Sequence, residues 1–200
     1  MEVLQDNLII EGLEKAITYS EYRTLVSDLV KEEKSTGNTQ TEALTNYSML
    51  NDRRMKRLDK TVKLSEDIIE KAAAFKGDIT WLVLTESWCG DAAQTMPVMQ
   101  KIADLNEGID FKVVLRDENE DLMDQFLTNG GRSIPKLIMI DNATSEVLNT
   151  WGPRPSIATQ MVEDYKAEHG KLTPEFKQDL QVWYNKDKGQ NTAEDLVDLF

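Results

Sequence analysis

The chain has 200 residues, of which 40% are hydrophobic and 30% are charged. A chain of this length and balance forms a globular core and buries about 70% of its unfolded surface. The net charge is −13, from 36 acidic and 23 basic residues. Such a charge repels phosphate backbones and anionic lipids, and the apolar runs fall far short of the roughly 18 residues of a membrane span. We therefore expect no nucleic acid and no membrane as partner.

Cysteine and histidine each occur once, as Cys89 and His169. One cysteine excludes an intrachain disulfide, and a single Cys–His pair cannot form the clusters that hold zinc. We therefore expect no metal site and no cofactor. The first residues lack a basic region followed by an apolar one, so we expect a cytoplasmic protein.

The first 75 residues are predicted to be helical throughout. Apolar residues at 3.6-residue spacing follow a candidate cap at Ser20. Thr39 and Glu42 have the spacing of a capping box for a second helix. A third helix is predicted from Ser65 to Phe75.

From Ile79 the apolar pattern changes to that of an α/β unit. Ile79–Thr85 is continuously apolar enough for a buried strand, and a helix is predicted from there to Glu107. The further predicted elements are a strand at Phe111–Leu115, a helix at Asp117–Leu127, a hairpin of Leu137–Ile140 and Val147–Trp151, and helices at Pro155–His169, Pro174–Asn185 and Thr192–Phe200.

These elements predict an α/β fold with a central mixed sheet of four or five strands flanked by helices. We assign residues 62–169 to this core. Residues 1–61 and 170–200 are predicted to be helical extensions that pack on it to form one compact unit.

Cys89 lies between the end of the first predicted strand and the start of a helix. The carboxyl ends of strands in open α/β sheets are where sites are built, and a helix N-terminus favours a thiolate. These two features make Cys89 a candidate nucleophile with a pKa below the free value of about 8.5. The alternative is a small buried hydrophobic residue, because free cysteine is often fully buried.

Three motifs around Cys89 resemble the thioredoxin superfamily, and in particular bacterial thioredoxin family proteins. They are Trp88-Cys89-Gly90-Asp91-Ala92 with Pro97 in the following helix, Arg132-Ser133-Ile134-Pro135 before a strand, and Trp151-Gly152-Pro153-Arg154-Pro155. The resemblance implies a thioredoxin-like fold with a cis Ile134-Pro135 bond facing Cys89. It also implies a substrate groove, for which we select Trp88, Gly90, Arg132, Ile134, Pro135, Trp151 and Gly152.

The sequence departs from the superfamily pattern at three positions. Ala92 stands where the family has its resolving cysteine, Asp91 stands in place of proline, and Val83 stands in place of a buried acid. Asp91 is a candidate acid/base or a residue that starts the helix. Glu86 is a second candidate acid, expected to be solvated.

The hypothesis that follows is a thiol protein with one cysteine. Cys89 would attack a disulfide of a protein or low-molecular-weight thiol, and an outside thiol would resolve the product. The alternatives are a binding module that has lost turnover, and a thiol peroxidase that forms a sulfenic acid. The sequence leaves the oligomeric state open.

Two further features have structural explanations. The basic segment Arg53–Lys63 is expected to be a solvated helix face that pairs with the acidic core, with an anionic partner as the alternative. His169 is expected to favour the C-terminal end of its helix rather than to pair with Cys89.

Overall fold

The computed structural model describes residues 2–200 and contains a five-stranded sheet in the order β1-β3-β2-β4-β5. β2 pairs with β3 in parallel and with β4 in antiparallel orientation, whereas β1 and β5 are antiparallel edge strands. The strands are β1 (Ile17–Thr18), β2 (Ile79–Thr85), β3 (Ile109–Leu115), β4 (Lys136–Asp141) and β5 (Val147–Trp151). This mixed sheet confirms the predicted fold class, with five strands.

Helices flank the sheet and extend the chain at both ends. They are α1 (Glu2–Lys15), α2 (Tyr19–Lys31), α3 (Glu42–Thr61), α4 (Glu66–Ala74), α5 (Gly90–Ala103), α6 (Glu120–Asp124), α7 (Ser156–His169), α8 (Pro174–Asp187) and α9 (Gln190–Val197). Within the described residues, none of these helices has the length and apolarity needed to cross a membrane.

All seven residues of the central strand β2 are buried, which explains why its sequence is continuously apolar. The main core surrounds it and includes Ile9, Tyr22 and Met55 from the first three helices. The N-terminal helices therefore contribute to the same core as the sheet. A smaller apolar cluster joins α7 to α8.

The prediction of an entirely helical N-terminal segment is wrong at Ile17 and Thr18. These β-branched residues pair with β3 and add an edge strand to the sheet. Thr18 then caps α2 in a capping box with Glu21, so Ser20 is not the cap. Thr41, rather than Thr39, caps α3 by accepting a hydrogen bond from the Leu44 amide.

Two predicted helices also differ from the structure. The Asp117–Leu127 helix is replaced by a 3₁₀ turn at Arg116–Glu118 and the short α6, because Asn119 leaves the helical conformation and donates its side-chain amide to the Leu115 carbonyl. The last helix, α9, begins before Thr192, which is buried rather than capping.

Candidate functional site

Cys89 is the N-cap residue of α5, four residues after β2 ends. The Ala92 amide donates to Cys89 Sγ at 3.4 Å. Cys89 is only 8% exposed, yet it lines an open groove. The predicted position at a strand end and a helix start is therefore confirmed.

The wall opposite Cys89 is the segment before β4. The Ile134-Pro135 peptide bond is cis, as the sequence motif predicts. The Cys89 thiol donates a hydrogen bond to the Ile134 carbonyl oxygen at 3.2 Å. The thiol and the backbone of this segment therefore share one site.

Burial raises the pKa of Cys89 to about 12, and the negative charge of Asp91 adds to the rise. The amides of Ala92 and Asp91 and the charge of Arg154 act in the opposite direction but do not compensate. The prediction of a lowered pKa is therefore wrong. The helix N-terminus is present, but removing the thiolate from water costs more than the aligned amides recover.

Asp91 has both carboxylate oxygens engaged. Arg154 lies 2.8 Å from Oδ2, and the Tyr184 hydroxyl donates to Oδ1 at 2.9 Å. Burial raises the pKa of Asp91, whereas Arg154 and Tyr184 favour its ionised form. Burial next to this carboxylate also raises the pKa of Tyr184. The network ties α5 to α8 and to the segment after β5.

A buried polar network fixes the loop that precedes Cys89. The Ser87 hydroxyl bonds to Ser48 at 2.7 Å and accepts from the Thr36 amide at 3.0 Å. Asn51 donates to the Ser87 carbonyl at 2.9 Å. Ser48 and Asn51 belong to α3, so the N-terminal region supports the site directly.

The groove beside Cys89 is open to solvent and has a volume of about 610 Å³. Its floor contains Cys89, Gly90 and Asp91, and α3, α8 and the Ile134 segment form its walls. The other lining residues are Leu44, Tyr47, Leu50, Asn51, Arg54, Trp88, Arg116, Arg132, Ser133, Pro153, Arg154, Leu172, Lys177, Gln178, Leu180 and Gln181.

A family model described as thioredoxin matches residues 37–166, well over half of the chain. The chain belongs to the thioredoxin family. No curated protein matches it. The match begins before α3. The part of this thioredoxin-family protein that resembles the family therefore includes α3, which lies outside the predicted core of residues 62–169.

Two solved structures share the fold of this thioredoxin-family protein. A protein of unknown function from Pseudomonas aeruginosa is 17% identical with a TM-score of 0.60, over 75% of this chain and 83% of that one. An HIV epitope scaffold is 16% identical with a TM-score of 0.56, over 92% of this chain and 97% of that one. At these identities the similarity concerns the fold alone.

Glu86 differs from its expected solvated state. Its side chain is fully buried, and Oε1 accepts a hydrogen bond from the Asp117 amide at 2.8 Å. Burial raises the pKa of Glu86, and Oε2 has no hydrogen-bond partner among the described residues. Its carbonyl accepts from the Cys89 amide at 3.1 Å, so Glu86 helps to shape the turn beneath the cysteine.

The groove contains some of the predicted substrate-binding residues and not others. Trp88, Gly90, Arg132 and Ile134 line it, and Arg116 lies 4.9 Å above the Trp88 ring. Pro135, Trp151 and Gly152 are not among its lining residues.

Gly152 packs directly behind the cis-proline segment. Its φ is +112°, and a side chain there would collide with the Pro135 carbonyl oxygen. Trp151 is buried and donates its indole N–H to Asp195 at 3.4 Å. These residues can therefore shape the groove wall from behind.

Sequence reasoning missed Arg154 and Tyr184 as partners of Asp91. Arg154 lies within the Trp151–Pro155 motif, so the sequence did indicate that this segment belongs to the candidate site. Tyr184 lies on the buried apolar face of α8, together with Phe176 and Leu180. A pattern of this kind predicts burial, but it does not reveal which distant carboxylate a tyrosine hydroxyl reaches.

The basic segment does not pair with the acidic core as predicted. Asp52 and Asp59 of α3 bind Arg23 of α2, at 3.0 and 3.1 Å. Among the described residues, no cation of Arg53–Lys63 lies within 4.0 Å of a carboxylate. His169 ends α7 and packs on Tyr165, with ring centroids 4.3 Å apart.

The pKa of Cys89 predicts how its alkylation depends on pH. Below the pKa, the thiolate fraction rises about tenfold per pH unit. With a pKa of about 12, the rate with iodoacetamide is expected to rise from pH 7 to pH 10 without a plateau. Protein unfolded in urea is the control, and its rate should level off above about pH 8.5. A plateau of the native protein near that pH would contradict the burial effect.

The hydrogen bond from Asn51 to the Ser87 carbonyl is expected to stabilise the folded protein. Replacing Asn51 with Ala leaves the buried Ser87 carbonyl without its donor, which is expected to cost about 1–3 kcal/mol of unfolding free energy. Urea unfolding measures this cost. Asn46→Ala, an exposed position of the same helix, is the matched control and should be close to neutral. Equal losses for both variants would show that the Ser87 contact contributes nothing.

Proposed function

We propose that this protein performs thiol–disulfide exchange on a polypeptide bound in the groove, with Cys89 as nucleophile and an outside thiol as the resolving partner. The observation that carries the proposal is the position of Sγ. It lies at the N-terminus of α5, in the floor of an open groove, 3.2 Å from the Ile134 carbonyl. Thiol and backbone can thus meet the same extended chain.

The exchange takes place in two balanced steps. The Cys89 thiolate attacks one sulfur of a substrate disulfide, which forms a mixed disulfide and releases the other sulfur as a thiolate. An outside thiolate then attacks the substrate sulfur, which releases Cys89 and leaves a new disulfide between substrate and outside thiol. The thiol proton lost from Cys89 goes to solvent in the first step and returns in the second. No cofactor is needed.

The raised pKa makes this exchange slow in the free protein. At neutral pH the thiolate fraction is small, and a high-pKa thiol is also a poor leaving group. The mixed disulfide is therefore expected to be long-lived once formed. Binding in the groove would compensate for the slow reaction, because it places the partner's disulfide next to Cys89 Sγ.

We assign the remaining site residues supporting roles. Trp88, Gly90, Arg132 and Ile134 would contact the bound chain, and Pro135, Trp151 and Gly152 would shape the wall from behind. Asp91 is proposed as a positioning residue rather than an acid/base, because both of its oxygens are engaged. Its charge would hold Cys89 protonated until a partner binds.

A reducing compartment suits this chemistry. We propose a cytoplasmic protein, because a cytosolic thiol pool supplies the outside thiol that the chain lacks. We propose a bacterial one, because its motifs resemble bacterial thioredoxin family proteins. Low-molecular-weight thiols would serve in the second step. The net charge of −13 disfavours a nucleic acid as partner.

The raised pKa also favours a second candidate, a groove that binds a polypeptide without turnover. Cys89 would then be a protonated, inert part of the groove floor. The same observation disfavours a thiol peroxidase, because sulfenic acid forms from the thiolate.

Mixed-disulfide formation separates the two candidates. The native protein is incubated with a peptide whose cysteine is linked to 2-thiopyridine, and intact mass and released thiopyridone are measured. Exchange predicts one peptide per chain on Cys89 and one equivalent of thiopyridone, with no adduct on Cys89→Ser. An adduct that forms only after unfolding would overturn exchange and leave the binding module.

A further inference from the structure

The cations around the groove have too few acidic partners. Five cations line the Cys89 groove, against one acid, Asp91. Arg116, Arg132 and Arg154 are neutralised by ion pairs with neighbouring carboxylates. Arg54 and Lys177, in contrast, have no carboxylate within 4.0 Å among the described side chains.

A second cleft continues this charge along α3 and α8. It has a volume of about 660 Å³ and is lined by Arg57, Lys63 and Lys188, with no acidic residue. Arg57 follows Arg54 by one turn of α3. The two clefts therefore lie end to end, and Arg57 crosses between the helices to Asn185 at 2.8 Å.

Arg54 and Arg57 are like charges one helical turn apart, and Arg57 disfavours the charged form of Arg54. Burial lowers the pKa of Arg54, and the neighbouring charge of Arg57 lowers it further. Asp91 and Tyr184 act on this pKa in the opposite direction without cancelling the fall.

In a chain with 36 acidic residues against 23 basic ones, carboxylates for pairing are abundant. Asp52 and Asp59 of α3 nevertheless bind Arg23 on another helix. Arg54 and Arg57 of α3 line the clefts instead. An anionic ligand would relieve this repulsion.

We propose that the two clefts bind an acidic polypeptide segment that presents its disulfide to Cys89. We define the cationic track as Arg54, Arg57, Lys63, Lys177 and Lys188. The inference rests on the proposed exchange function and adds its substrate class. The track would pair with carboxylates of the segment, and the exposed Tyr47 and Leu50 on the groove rim would contact an apolar side chain.

The geometry fits an extended chain better than a small molecule. From Arg54 to Thr61, α3 rises about 10 Å, which about three residues of an extended chain span. The acidic residues are therefore expected within three or four positions of the reacting cysteine. Both clefts are open along their length, and together they exceed what a single small disulfide fills.

Three peptides with one cysteine test the proposal. Each carries a 2-thiopyridyl disulfide and has Glu, Gln or Lys at the three positions beside the cysteine. The Glu peptide is expected to form the Cys89 adduct about tenfold faster than the Gln peptide at low salt, and the Lys peptide is expected to be slowest. This advantage should fade at high ionic strength. The 2-thiopyridyl disulfide of glutathione is included as a small anionic disulfide with the same leaving group.

Matched variants locate the effect. The triple variant Arg57→Gln, Lys63→Gln, Lys188→Gln is expected to lower the Glu/Gln rate ratio at least about threefold, through the loss of local charge. The triple variant Arg53→Gln, Lys56→Gln, Lys60→Gln is the control, because these three residues lie on α3 but line neither cleft. An equal fall of the ratio in both would overturn the assignment to the track.

The outcomes separate this inference from the proposed function. Equal rates for the three peptides would keep exchange and overturn acidic selection. The 2-thiopyridyl disulfide of glutathione reacting as fast as the Glu peptide would also overturn it, in favour of a small ligand. If no adduct forms, binding of labelled peptides without disulfides to Cys89→Ser decides. If Cys89→Ser binds the Glu peptide preferentially, the acidic segment is supported although exchange fails. If it shows no preference, both the acidic segment and the exchange function are overturned.

Discussion

Asp91→Asn is expected to make Cys89 more reactive. The Asp91 charge raises the pKa of Cys89 and holds Arg154 in an ion pair. Its removal deletes a like charge and frees a cation, and both changes favour the thiolate. A nearby charge shifts a pKa by about 1–3 units, and the accompanying loss of nucleophilicity leaves a net gain of roughly 3- to 50-fold in alkylation rate below the pKa.

Iodoacetamide labelling at pH 8.5, and its pH profile, measure this gain. Asp91→Asn should shift the profile to lower pH. Arg154→Gln should shift it upward, because Arg154 lowers the pKa of Cys89. Asp104→Asn removes the same charge from the exposed C-terminal end of α5 and is the control. A slower reaction of Asp91→Asn with unchanged stability would show instead that Asp91 accepts the thiol proton.

Ala92→Cys is expected to create a dithiol reductase. The Ala92 amide is 3.4 Å from Cys89 Sγ, so a side chain at position 92 lies one helical turn from the thiol. A second thiol at this position attacks the mixed disulfide intramolecularly instead of waiting for an outside thiol. High effective concentration predicts insulin reduction with dithiothreitol at least about tenfold faster than with the wild-type protein.

The control for this gain is Ala103→Cys, a second buried thiol at the far end of the same helix. It should add no reductase activity. Oxidised Ala92→Cys should also lose two hydrogens in its mass, as an intramolecular disulfide requires. A folded Ala92→Cys protein that cannot form this disulfide would contradict the thioredoxin-like geometry of the site. Wild-type activity equal to that of the variant would show that resolution is not limiting.

The sequence predicts the core well where apolar pattern and motif agree. The continuous apolar run of β2, the β4–β5 hairpin and the cis-proline segment are all found as predicted. The division into residues 1–61, 62–169 and 170–200 stays a prediction. Ser48 and Asn51 of α3 form hydrogen bonds with Ser87, so α3 helps to position the loop that precedes Cys89.

The errors have a common physical origin in long-range contacts. The Cys89 pKa depends on burial beneath the groove walls, which helix position alone does not reveal. Glu86 was expected to be exposed to solvent, because the local sequence does not show that its side chain packs against the Asp117 turn. The pairing of Asp52 and Asp59 with Arg23 depends on how α2 lies on α3, which no local pattern encodes.

The most direct test of exchange in the groove is the dependence of the Cys89 reaction rate on peptide disulfide concentration. Thiopyridone release is followed at fixed pH under excess peptide. Docking before exchange predicts a rate that saturates with concentration, and wild-type protein and Cys89→Ser should bind the peptide with the same affinity. A linear, unsaturable rate that matches a free thiol of the same pKa, or no reaction of the native protein, would contradict exchange on a groove-bound partner.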